Sequence, residues 1–110
     1  MAKKLKAIIK RPDEPYGHMT SISATLENLQ KTVGGYIETV GLTKSDVIIV
    51  NEEGKLLGLE KNLRMYGDTA YSDTLVGTII VLGTNGDEFA DVKMDFRTWK
   101  KLVDKWEGRG

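Results

Sequence analysis

Val33-Gly34-Gly35-Tyr36-Ile37-Glu38, followed by Val47-Ile48-Ile49-Val50-Asn51-Glu52-Glu53-Gly54-Lys55, decides the middle of the fold. The paired glycines mark the end of a helix, because the left-handed backbone of a helix C-cap costs little without a Cβ. Tyr36 to Leu42 then leaves as a strand, and Val47 to Asn51 follows as another. Asn51-Glu52-Glu53-Gly54-Lys55 suits a type I turn with a glycine bulge, so Lys55 to Leu59 is expected to return as the hairpin partner.

Upstream of the glycines, Thr25 is a good N-cap, and Leu26, Leu29 and Val33 recur at i, i+3 and i+7. This predicts a short helix over 25–33. Before it, Leu5 to Lys10 reads as a strand ended by Arg11-Pro12-Asp13-Glu14-Pro15, and the weak alternation from His18 to Ser23 predicts a second. Downstream, residues 60–74 show no regular periodicity and read as a long loop, a feature that in small domains is often functional. Leu75 to Leu82 is apolar on both faces and reads as one central strand, which Asn85-Gly86 turns back into Glu88–Met94. Asp95 caps a final amphipathic helix over 95–107, with Phe96, Trp99, Leu102, Val103 and Trp106 along one face. Residues 1–110 are thus expected to form a single α+β domain, a mostly antiparallel sheet of about five to seven strands carrying two helices. The aromatic face of the last helix is read as core, with a subunit interface around Trp106 as the alternative.

Composition removes several chemistries. Cysteine is absent from the 110 residues, so disulfides, thiol nucleophiles and thiolate metal sites are excluded. Ala2-Lys3-Lys4-Leu5-Lys6 is too charged for a secretory leader, and no apolar run approaches the roughly 18 residues of a membrane span. A cytoplasmic protein with no membrane contact is expected. Net charge is zero, but residues 1–11 hold five basic groups and no acid, whereas 12–92 hold thirteen acids against five bases. Nucleic-acid binders are usually basic overall, so nucleic acid is not the expected partner, and the basic ends read as solvated surface.

No residue set makes a catalytic constellation. His18 is the sole histidine, and no Gly-x-Ser-x-Gly element is present. Glu52 and Glu53 are adjacent in a turn, where their side chains diverge, whereas paired acid–base carboxylates need facing positions. Gly34-Gly35 and Gly83-Thr84-Asn85-Gly86 fit neither phosphate-loop nor dinucleotide spacing. No cofactor and no metal site is expected. Asn51 has a plain account, bonding the backbone two residues on, and an alternative one in contact with a ligand. Asn62, Arg64, Tyr66 and Tyr71 bring together types that a nucleotide pocket uses: arginine grips phosphate, and tyrosine stacks on a base.

Leu29-Gln30, Val33-Gly34-Gly35-Tyr36-Ile37-Glu38, Val50-Asn51-Glu52-Glu53-Gly54-Lys55 and Asn62 resemble a family of small, functionally uncharacterised proteins carried by phages, plasmids and other bacterial mobile elements. The resemblance covers roughly residues 5–85 and includes Val76-Gly77-Thr78-Ile79-Ile80-Val81-Leu82-Gly83. The stretch from residue 95 departs from the pattern and reads as an addition specific to this chain. The resemblance implies an origin rather than a reaction. By analogy with small phage proteins, it suggests a non-enzymatic, homo-oligomeric protein that sequesters a nucleotide-like signal and so counters host defence. In that reading Lys55 and Arg64 meet phosphate, Tyr36, Tyr66 or Tyr71 stacks on a base, and Asn51 and Asn62 read polar edges. The alternatives are a protein–protein inhibitor acting through the acidic middle or the aromatic helix, and a small hydrolase using His18 with Glu52 or Glu53.

Overall fold

A computed structural model describes residues 3–66 and 72–109. Among these, eight strands and two helices follow the order β1 (Lys4–Lys10), β2 (His18–Ser23), α1 (Leu26–Val33), β3 (Ile37–Gly41), β4 (Asp46–Asn51), β5 (Lys61–Tyr66), β6 (Ser72–Val76), β7 (Ile79–Asn85), β8 (Glu88–Ala90) and α2 (Phe96–Glu107). Six strands form one antiparallel sheet, ordered β2-β1-β7-β4-β3 with β8 on β7, and β5 and β6 form a separate hairpin. The α+β reading holds.

Local chemistry explains both helices. Thr25 accepts the Asn28 N–H at 3.2 Å and Gly34 closes α1 with φ +84°. Asp95 accepts the Thr98 N–H at 2.7 Å, and Gly108 closes α2 with φ +72°. Period-two alternation in the central strands then divides the core into two layers. Ala7, Ile9, Ile49, Ile80 and Leu82 face α1, meeting Leu29 and Val33. Ile8, Ile48, Val50, Ile79 and Val81 face the other way, onto Leu63, Met65 and Leu75 of the hairpin and Trp99, Val103 and Trp106 of α2. The aromatic face of α2 is therefore core, with Trp99 fully buried and edge-on to Trp106 at 6.2 Å.

Three expectations fail for identifiable reasons. Lys55 to Leu59 is not a strand, because both edges of β4 are already taken by β3 and β7. Those residues form consecutive turns instead, with Leu57 N–H donating to Glu53 and Leu59 N–H to Gly54. The expected loop over 60–74 contains the β5–β6 hairpin, whose register shift between Lys61 and Leu63 breaks the alternation. The apolar run from Leu75 to Leu82 is two strands, divided where Gly77 takes φ +73° and donates its N–H to the Glu60 carbonyl. A smaller difference follows at the last hairpin. Asn85 still pairs with Glu88, so the two loop residues are Gly86 and Asp87, and β8 stops at Ala90 rather than Met94.

Candidate functional site

Between α2, the end of β5 and the β3–β4 connection runs an open groove of about 1240 Å³. Met65, Met94, Leu102 and Trp106 supply apolar surface, and Tyr66, Thr43, Thr98, Lys101, Lys105 and the carboxylate of Glu107 supply polar groups. Strand alternation sets one wall, since Met65 is buried while its neighbour Tyr66 is 46 % exposed. Helical spacing sets the other, because Thr98, Lys101 and Lys105 stand at i, i+3 and i+7, beside the inward stripe of Leu102 and Trp106. The third wall is held by Asp46. Its buried carboxylate accepts the Lys93 N–H at 2.8 Å and the Met94 N–H at 3.0 Å, tying the approach to α2 onto the start of β4.

Lys101 and Lys105 share the groove with one acid of α2, Glu107, whose carboxylate is already bonded at its edge, while Asp104 is engaged outside it. Glu107 accepts the Arg64 N–H at 2.7 Å and lies 3.7 Å from Lys61 Nζ. Asp104 accepts the Tyr16 hydroxyl at 2.6 Å, a bond that raises the Tyr16 pKa above its ordinary 10.0. The Arg64 guanidinium stands 5.4 Å from the centre of the Tyr66 ring.

The residues singled out from sequence do not form one site. Tyr66 lies in the groove and Arg64 against it. Asn51 and Lys55 line a separate crevice of about 110 Å³, well below the roughly 300 Å³ at which ligand pockets begin. The Asn51 amide is used internally, donating to the Val33 carbonyl at 3.2 Å and accepting the Glu53 N–H at 2.8 Å. The second of those bonds is the two-residue turn contact expected of an asparagine there. Lys55 Nζ donates to Asp73 at 2.7 Å. The Tyr36 side chain is exposed next to the β3 edge, and Tyr71 lies outside the described residues. His18 meets Glu14 at 3.0 Å on β2, three strand positions from the end of β4 that carries Glu52 and Glu53, a separation of about 14 Å. No acid–base unit of those three residues is assembled.

The model of a domain of unknown function, DUF3846, matches residues 5–106. The chain belongs to the DUF3846 family. That match runs to the last turn of α2, so the aromatic helix belongs to the DUF3846 domain and is not an addition to it. No curated protein and no solved structure matches the chain.

The DUF3846 chain carries a second polar feature under α2. Lys10 is 2 % exposed, and its ammonium donates to Oδ1 and the backbone oxygen of Asn62 at 2.8 and 3.1 Å. Asn62 answers by donating to the carbonyls of Lys10 and Gly77 at 2.7 and 2.8 Å. Burial, then the nearby Arg109 charge, lower the Lys10 pKa from 10.5. Lys10 and Arg109, from opposite ends of the chain, line one surface cleft together, whereas Lys4 and Lys6 sit at the far end of β1. The basic ends thus meet only in part. Among the described residues no group of three or more His, Asp or Glu is placed to hold a metal ion. No described helix is long and apolar enough to cross a membrane.

Proposed function

We propose that this protein binds a nucleotide-like small molecule in the α2–β5 groove and acts by holding that ligand rather than by converting it. One observation carries this reading: Tyr66, Lys101 and Lys105 line the same apolar-floored groove. The ring offers a stacking face, the ammonium groups offer charge to phosphate, and Thr43 and Thr98 offer hydroxyls. The resemblance to mobile-element proteins extends the proposal to sequestration of a host defence signal in the bacterial cytoplasm.

The test is a thermal-shift screen against cyclic mono- and dinucleotides, cyclic ADP-ribose isomers, NAD and ADP-ribose. A ligand at a hundred times its dissociation constant adds about 2.7 kcal/mol, and in a domain of this size that raises Tm by on the order of 10 °C. The expected outcome is such a shift for one compound, lost in Tyr66→Ala, with the compound recovered unchanged after long incubation. A flat panel removes the proposal, and conversion of the compound makes the protein an enzyme.

A second reading has an observation of its own. Leu56 is 86 % and Leu57 61 % exposed in the turns after β4, flanked by Glu52, Glu53 and Glu60. Paired exposed leucines, with Lys55 beside them and three acids within a few residues, suit a contact with an apolar surface of a host protein. Leu56→Asp with Leu57→Asp is expected to abolish that contact without touching the groove.

A further inference from the structure

We infer that the ligand of this groove carries two phosphates joined through a nucleotide backbone, as in a dinucleotide, and is not a mononucleotide. The inference rests on the reading above and narrows its ligand class. Lys101 and Lys105 are four residues apart on α2, which sets their Cα atoms about 6 Å apart along the axis on one face. That is a separation adjacent phosphates of an extended phosphodiester span. Both side chains are exposed, and no ion pair within 4.0 Å joins either to an acid among the described residues. Of the acids nearest in sequence, Asp104 is held by Tyr16, and Glu107, which lines the groove beside Lys105, has its carboxylate bonded to the Arg64 N–H and within 3.7 Å of Lys61.

Size points the same way. The groove, at about 1240 Å³, exceeds the roughly 300–1,000 Å³ of ordinary small-molecule pockets, leaving room for a second nucleotide beyond the one stacked on Tyr66. The row of cations also stops soon. Arg97 continues the i, i+4 line by one more step, into an adjoining depression that Lys101 shares and that Tyr16, Lys100 and Asp104 complete. A chain of zero net charge with so short a row fits a two-phosphate ligand better than a long strand, whose affinity grows with every phosphate neutralised.

The test is a set of Trp-fluorescence titrations at several salt concentrations. Its probes are the four nucleoside monophosphates, 5′-phosphorylated linear dinucleotides and cyclic dinucleotides of the same bases, each with two phosphates, and single-stranded hexamers. In single strands each neutralised phosphate contributes about −0.7 to the slope of log K against log salt. Dinucleotides are expected to bind at least tenfold tighter than monophosphates, with a slope of about −1.4 against about −0.7. Lys101→Ala and Lys105→Ala should each remove about one such increment while leaving the denaturation midpoint in place, and Lys31→Ala on α1 should change nothing. The linear and cyclic arms identify which form of the phosphodiester is held. Equal affinity and slope for mono- and dinucleotides would overturn this inference and leave the groove's assignment standing. Hexamers binding tighter still, with a slope beyond −2, would overturn it in favour of strand binding. Silence from every probe would remove both.

Discussion

On one face of the central sheet, Leu29 and Val33 of α1 seat on Ala7, Ile9, Ile49, Ile80 and Leu82, and the polar side chains nearby serve the ends of that helix. Thr25 caps it, Asn28 Nδ2 donates to the Ser23 carbonyl, and Asn51 holds the Val33 carbonyl. On the opposite face a hairpin and a helix cover the sheet together, sharing an apolar core through Leu63, Met65, Trp99, Val103 and Trp106, and polar groups gather at the margins of their contact. Lys10 and Asn62 are buried at one end of it, and the Tyr66–Lys101–Lys105 groove opens on the other side of Glu107. The difference is one of construction. One helix on a sheet can close its face by packing alone, whereas two unlike elements leave margins to their contact that polar groups can use.

Core truncations on the two faces separate these roles most strongly. Trp99→Ala is expected to cost about 4 kcal/mol, since the ring is fully buried and its Nε1–H donates to the Tyr16 carbonyl at 2.8 Å. It should also distort the groove, so ligand binding falls along with stability. Leu29→Ala should cost about 3 kcal/mol but leave binding intact at temperatures where the variant remains folded. Urea denaturation paired with ligand titration reads both. A Leu29 variant that lost binding as severely as the Trp99 variant would erase the distinction between the faces.

The buried Lys10–Asn62 pair gives the next effect. Asn62→Ala leaves the Lys10 ammonium and the Lys10 and Gly77 carbonyls short of partners, at a cost of about 2 kcal/mol. The pH dependence has a definite sign. Folding holds Lys10 below 10.5 because burial disfavours its charge. Between that lowered value and 10.5 the unfolded chain binds more protons, so the Lys10 contribution to stability improves as pH rises. Below the lowered value the cost of burying the charge is present in full. Denaturation of Lys10→Met across the alkaline range should therefore show a shallower rise than the parent, and an identical rise would contradict the assignment.

His18 is expected to matter least. It meets Glu14 on an exposed edge, and such pairs contribute between nothing and about 1 kcal/mol. Burial would raise the Glu14 carboxyl, but the Arg11 N–H and the His18 ring hold it below its ordinary 4.5. His18→Ala should shift stability by no more than about 0.5 kcal/mol near neutral pH and leave the groove unaffected. Loss of ligand binding in that variant would place the functional centre on the wrong edge of the sheet.

The pattern of what was legible in the sequence follows from how local each signal is. Thr25, Gly34 and Asp95 act within one helical turn, so both helices are readable to within a residue. The apolar run of β4 is readable because it is buried on both faces. The β5–β6 hairpin is not, because the irregularity at Asn62 buries two consecutive residues, Asn62 and Leu63, and no period-two signal survives it. Gly77 hides inside an apolar run because its role is conformational, a positive φ with Leu59 packed where a Cβ would stand. The groove was the hardest to foresee. Its walls come from residues 41–43, 65–66 and 94–108, and only the pairing of β5 with α2 brings Tyr66 to the two lysines. Besides Tyr66, which its residue type had marked, the signal in the chain was Lys101 and Lys105, four apart beside Leu102 and Trp106, a pattern that reads as an ordinary solvated helix face until the neighbouring strand is known.

The most direct test of the central claim is calorimetric titration of the wild-type protein, Tyr66→Ala and Lys55→Ala with whichever compound gives the largest thermal shift. If the α2–β5 groove is the site, Tyr66→Ala weakens binding by at least tenfold and Lys55→Ala, in the separate crevice, leaves it unchanged. The reverse pattern, with binding lost at Lys55 and kept at Tyr66, would contradict the account and move the site to the end of β4.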